Sequence, residues 1–308
     1  MSRPVWSRLN PFGPKDPQVA VVRLHGPIGG GSSFRQGLSI DRLEGPLRAA
    51  FASRRTTAVA LLINSPGGSP VQSDQIKTRI EALAREFDKP VIAFTEDLCA
   101  SGGYWIAQGA DEIIAHPSSV VGSIGVITAG FGMQDAIEKL GIERRVHTKG
   151  ASKGMLDPFQ AEKPADLERL DALQQDLYDS FKDMVRNRRG KKLKGDEEEL
   201  FSGAVWTGTR ALEKGLVDGL GELRGVMRER YGERSQTLFL AALAARDRFR
   251  RSRRRGSIIR SLPDRRRGGA IALEQVRALV HPFGRSSTLP LRPSRLAWAI
   301  ACWISSRL

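Results

Sequence analysis

Residues 58–68 read AVALLINSPGG and residues 90–107 read PVIAFTEDLCASGGYWIA, and in each an apolar run leads into a turn carrying two adjacent glycines. A run without polar alternation is the pattern of a strand buried on both faces, as in a parallel sheet covered by helices. Working outward, VAVVRL (19–24) is another such run and ends at HGPIGGG. The segment 39–53 and the Ser-capped SDQIKTRIEALAREF (73–87) have helical spacing, and DEIIAHP (111–117) predicts a short fourth strand. Helices are expected from Gly102 and near 133–140, with a further strand at RRVHTKG (144–150). Strand and helix alternate, which predicts an α/β domain with a mostly parallel sheet joined by right-handed crossovers.

Farther along, Leu167, Leu170, Leu173, Leu177 and Phe181 share one face of a long helix over 166–187, a face suited to packing or self-association. TGTRALEKGLVDGLG (207–221) predicts a short helix, a glycine stop and a final turn. The folded body is expected over 18–230, after a loose proline-broken leader at 1–17. The remainder, 231–308, is expected to be a disordered or weakly helical tail.

The net charge of +15 belongs to that tail. Residues 1–230 carry 32 Lys+Arg against 30 Asp+Glu, whereas residues 231–308 carry 17 against 4, and all 17 are Arg. The body is therefore close to neutral, and a nucleic-acid partner is not expected from it. The abrupt loss of lysine fits a solvated extension, a shifted reading frame, or a segment making peripheral contact with an anionic membrane through LAWAIACWI (296–304). No stretch reaches the roughly 18–20 apolar residues of a membrane span and no signal peptide is evident, so a cytoplasmic place is expected, with peripheral contact at the inner face. The two cysteines, Cys99 and Cys302, match no metal or redox spacing.

Glycine turns after buried strands lie at the carboxyl edge of the sheet, where open α/β folds hold ligands. Ser101 stands at the mouth of the helix that begins with Gly102, and the amides of Gly68 and Gly102 suit a developing oxyanion. The same residues equally fit a helix N-cap and two tight turns. A serine nucleophile needs a base, yet His25, His116, His147 and His281 have no recognisable triad context. Lysine is the other choice where apolar cover removes its proton, and Lys153 in HTKGASKGMLDPF has Met155, Leu156 and Phe159 nearby to shield it.

Taken together and in order, NSPGG, ASGGYWIA, VGSIGV and KGASKGMLDPF resemble the signal peptide peptidase A and SohB family of serine peptidases, over residues 18–225. The resemblance implies a ClpP/crotonase-like fold, a Ser/Lys dyad and proteolysis inside a homo-oligomeric chamber, without cofactor or metal. It implies Ser101 as nucleophile, Lys153 as general base, Ser123 as the hydroxyl orienting the lysine, and Gly68 and Gly102 as the oxyanion hole. Extended apolar peptides such as released signal peptides are the implied substrates. Two other readings remain: an acyl-CoA enzyme of the crotonase type with Glu96 as acid/base, and an inactive scaffold whose tail binds anionic lipid or nucleic acid.

Overall fold

The computed structural model describes residues 16–30 and 37–239. The chain alternates β1 (Gln18–His25), α1 (Ile40–Ala52), β2 (Thr56–Ser65), α2 (Pro70–Phe87), β3 (Val91–Ala100), α3 (Gly102–Ala107), β4 (Glu112–Ala115) and β5 (Val120–Gly122). Then follow α4 (Gln134–Lys139), α5 (Pro164–Arg189), α6 (Glu197–Leu200), β6 (Val205–Thr207), α7 (Gly208–Glu213), β7 (Gly219–Leu220), α8 (Leu223–Tyr231) and β8 (Gln236–Phe239). They build one sheet in the order β6-β5-β3-β2-β1-β8, with β4 and β7 branching from β3. Every pairing is parallel except β5 with β6, as the alternating pattern predicts.

The period of two along each strand divides the apolar residues between two cores. Ala20, Val22 and Leu24 of β1, with Val59, Leu61 and Ile63 of β2, meet Leu47 and Phe51 of α1 and Ile76, Ile80 and Leu83 of α2. Val19 and Val21, with Ala58, Ala60 and Leu62, face the other way and are covered by Leu223, Val226 and Met227 of α8. Burying both faces is what removes polar residues from these strands. Each fully buried leucine or isoleucine adds about 1.5–3 kcal/mol of transfer free energy.

Four local expectations change. Helix α2 starts at Pro70, capped by the Ser69 hydroxyl accepting from the Gln72 amide, because Pro at the first turn loses no hydrogen bond. Strand β3 runs on to Ala100 instead of stopping at Thr95, since β4 pairs with 92–95 and β5 takes over at 98–100. The strand expected at 144–150 does not form; those residues are exposed and have no ladder to join. The fold also runs past the expected end at 230, as Gln236–Phe239 extend the sheet by pairing with β1.

Helix α5 is held to the body at its carboxyl end. Phe181 and Val185 are buried, and Trp105 lies against Phe181 with ring centroids 4.7 Å apart. Buried Arg189 donates to the Gly215 carbonyl at 2.8 Å and to Asp218 at 2.8 Å. Burial pushes the Asp218 carboxyl up, but hydrogen bonds from Arg189 and Lys192 outweigh it and hold the group below its ordinary value. The amino half of the same face is uncovered, with Leu167, Leu173 and Leu177 exposed.

Candidate active site

Strand register assembles the site. Ala100 of β3 pairs with Gly122 of β5, so Ser101 and Ser123 are the residues that follow directly on the last pair of this ladder. The Ser101 amide donates to the Gly122 carbonyl at 2.8 Å, and the Ser123 amide to the Ala204 carbonyl at 2.7 Å. Both serines have left-handed backbone, with φ of 52° and 53°. A non-glycine residue there carries strain of about 1–3 kcal/mol, which persists where surrounding contacts enforce it, commonly at functional sites. Ser101 precedes α3 but makes no capping hydrogen bond with its side chain, so the plain N-cap reading is not what the hydroxyl does.

Opposite Ser101 lies the SPGG turn. Ile28 donates from its amide to the Gly67 carbonyl at 2.8 Å and accepts from the Ser69 amide at 2.9 Å. In a parallel bridge of this kind the residue between the two bonds, Gly68, turns its own N–H away from Ile28. That amide lies beside Gly102: a methyl group placed on Gly102 would be 3.2 Å from the Gly68 nitrogen. Gly67 is tighter still, since a methyl there would come within 2.6 Å of the Gly102 nitrogen and 2.7 Å of the Ser101 Cβ. The turn therefore packs backbone against backbone at the serine. The Gly102 amide is at the first position of α3, where no intrahelical acceptor exists. Two backbone donors thus converge beside one hydroxyl, a preorganised arrangement for stabilising negative charge on oxygen.

Gly68 tests this geometry. A Cβ on it would lie 2.0 Å from the Ile28 carbonyl oxygen, and its φ is 146°. Gly68→Ala must push the turn off Ile28 and misdirect the amide, so any reaction in which this amide holds an oxyanion is expected to slow by about 100–1,000-fold. Steady-state kinetics on the variant, with circular dichroism to check folding, measure this.

The structure thus brings Ser101, Ser123, Gly68 and Gly102 together. Lys153 lies in an exposed turn, its amide donating to the Gly150 carbonyl at 3.2 Å. Its expected shields, Met155, Leu156 and Phe159, are only half-buried. They belong to an arm, 126–165, in which no residue is buried. The arm is cross-tied by Arg144 to Asp157 at 2.9 Å and by the Met133 amide to the Pro158 carbonyl at 2.6 Å. Ile127, Phe131, Leu140 and Ile142 are exposed along it.

The competing acid and base candidates are already engaged. His25 meets Glu96 at 2.6 Å, on strand positions before the turns that form the site. His116 accepts at Nδ1 from the Ser118 amide at 3.2 Å. His147 is in the exposed arm, and His281 lies outside the described residues, as do Cys302 and the rest of the tail beyond 239. Cys99, two residues before Ser101, is fully buried, and burial pushes its thiol up, away from the reactive thiolate. Residue reading missed the parts played by Ile28 and Gly122. The HGPIGGG turn was a visible signal for the first, whereas the second depends on register between β3 and β5.

The sequence profile of peptidase family S49 matches residues 84–234, from the end of α2 through β3, Ser101, Ser123 and Lys153 to α8. This part of the chain belongs to peptidase family S49. Protease 4 of Haemophilus influenzae is 36% identical over 208 residues, which are 66% of this chain and 33% of that protein. The chloroplastic serine protease SPPA of Arabidopsis thaliana is 33% identical over 211 residues, 67% of this chain and 31% of that one. A Brucella abortus protein named Na(+)/H(+) antiporter NhaA is 54% identical over 218 residues, 70% of this chain and 30% of that protein. The chain thus spans about a third of the length of these curated relatives. Among the described residues no helix is long and apolar enough to cross a membrane.

Proposed function

We propose that the chain is a serine endopeptidase in which Ser101 forms an acyl-enzyme and Lys153 is the general base. The observation that carries this reading is the strained Ser101 beside the unpaired Gly68 and Gly102 amides. In the proposed step, neutral Lys153 takes the Ser101 proton as the oxygen attacks the peptide carbonyl, and the two amides hold the oxyanion. Collapse releases the amine, which receives the proton from Lys153. Lys153 then deprotonates a water, which attacks the ester and frees Ser101. Ser123, beside Ser101 through the β3–β5 register, is the hydroxyl proposed to orient the lysine amine. Extended apolar peptides, including released signal peptides, are the proposed substrates, since a strand can lie along the glycine turns with alternate side chains in apolar surroundings.

A lysine base needs water removed, and the exposed arm does not supply that by itself. We infer that a homo-oligomer covers the arm, with Ile127, Phe131 and the uncovered leucines of α5 in the interface. Large apolar side chains left exposed in such number are the kind of surface that marks an interaction site. Ile127→Asp combined with Phe131→Asp is expected to yield folded monomers without peptidase activity; light scattering beside an activity assay reads both. An oligomer that persists with full activity would reject this interface. The domain layout, with the catalytic unit from residue 18 through β8 and an Arg-rich tail after it, belongs to the same proposal, as do the cytoplasmic place and the tail's peripheral contact with anionic membrane.

The test of the function is hydrolysis of an unstructured apolar peptide by the full-length protein, with products identified by mass spectrometry. Internal cleavage supports the reading, and an inert protein that instead turns over an acyl-CoA thioester would replace it. Glu96, the acid such an enzyme would use, is paired with His25.

A further inference from the structure

Two serines outside the proposed dyad are fully buried around the glycine turns, Ser65 at the end of β2 and Ser73 in the first turn of α2. The Ser73 hydroxyl packs against Gly102 and donates to the Ser69 carbonyl at 2.9 Å, an oxygen that already accepts from the Ser73 amide at 3.0 Å. Its bond repeats one that the helix makes anyway. The Ser65 hydroxyl does something different: it accepts from the Gly67 amide at 3.2 Å, reaching past Pro66, which has no N–H of its own.

A hydroxyl in that place holds the SPGG turn from its inner side. A buried amide without an acceptor is costly, so the turn is kept where the Gly67 N–H meets the Ser65 oxygen. Gly67 is bonded at its other end to the Ile28 amide, and a methyl on it would come within 2.6 Å of the Gly102 nitrogen. Ser65 also borders α3: a methyl on Gly103 would lie 2.7 Å from the Ser65 carbonyl oxygen and 3.1 Å from its Cβ. One residue thus touches both the turn that carries the Gly68 amide and the helix start that carries the Gly102 amide.

We propose that Ser65 is a positioning residue, whose hydroxyl holds the Gly67 amide and thereby sets the aim of the Gly68 amide relative to that of Gly102. It touches no substrate and takes no proton. Negative charge develops on the carbonyl oxygen only as Ser101 attacks, so a misaimed donor weakens the transition state more than the bound substrate. Loss of the Ser65 hydroxyl therefore acts on kcat and leaves KM in place. The catalytic consequence rests on the peptidase reading, whereas the hold on the Gly67 amide does not.

The test compares full-length wild type, Ser65→Ala and Thr56→Val by steady-state peptide hydrolysis and by hydrogen exchange read in overlapping peptides. Thr56→Val is the control, since it deletes a buried hydroxyl at the opposite end of the same strand, bonded to the Ala50 carbonyl at 3.2 Å. Ser65→Ala is expected to lower kcat about 10–100-fold with KM within about twofold, and to speed exchange about tenfold over 65–69. Thr56→Val should do neither. If the alanine variant does not fold, Ser65→Cys, which keeps the size and accepts weakly, takes its place with a loss in the same direction. An unchanged kcat in an active enzyme, a rise in KM alone, or an equal kcat loss in Thr56→Val overturns the assignment. A wild type that cleaves no peptide rejects the peptidase reading instead; the hold on Gly67 is then decided by exchange, and unchanged exchange over 65–69 overturns it.

Discussion

Ser101→Ala is expected to lower kcat for apolar-peptide hydrolysis by on the order of 10⁵-fold or more while leaving the fold and the peptide's Kd nearly unchanged. The change removes one oxygen at a half-buried position whose side chain makes no capping bond, so little stability is lost with it. What disappears is the nucleophile itself, and the Gly68 and Gly102 amides are left with no covalent intermediate to stabilise. Alanine must still adopt the φ of 52°, so the strain remains and the turn is a fair control. Circular dichroism, peptide binding and burst kinetics distinguish lost chemistry from lost folding. A variant retaining a tenth of the wild-type rate would remove Ser101 from the mechanism.

Lys153→Ala is expected to cost nearly as much, because a nucleophile and its base act as a unit and removing either loses most of the joint effect. Stability should not move: Lys153 is exposed in an arm without buried residues, and surface substitutions of this type usually stay within about 0.5 kcal/mol. This pairing of large catalytic loss with unchanged thermal unfolding is the signature to measure. A lysine that merely decorates the surface would show neither loss. Combining Ser101→Ala and Lys153→Ala should be little worse than either alone, and additive losses would mean the two residues act in separate steps.

Much of the sheet was legible because burial on both faces leaves an unmistakable sequence trace. The runs at 19–24 and 58–64 became β1 and β2 nearly to the residue. The carboxyl half of β3 was hidden because its Glu96 and Asp97 break the apolar run; those carboxylates meet His25 and Asn64. β8 was hidden for a different reason, since its few residues acquire strand character only from the free edge of β1. Conversely, RRVHTKG looks like a strand locally but has no neighbouring edge to pair with.

The site divides in the same way. Glycines whose neighbours leave no space for a side chain, such as Gly67 and Gly68, announce themselves in sequence, and so does the serine before a glycine pair. The adjacency of Ser123 to Ser101 is a matter of strand register and could be reached only through the family resemblance. Lys153 is the extreme case: it stands exposed in an arm without buried residues, so neither local sequence nor the single chain's packing marks it out. The proposed homo-oligomer would supply the missing apolar cover from outside the chain.

The most direct measurement is covalent labelling of the full-length protein with a fluorophosphonate, mapped by peptide mass spectrometry, for wild type and Lys153→Ala side by side. The account predicts a single adduct on Ser101 in the wild type and little or none in the lysine variant over the same time. An adduct on a different serine, or equal labelling of Ser101 without Lys153, would contradict the dyad.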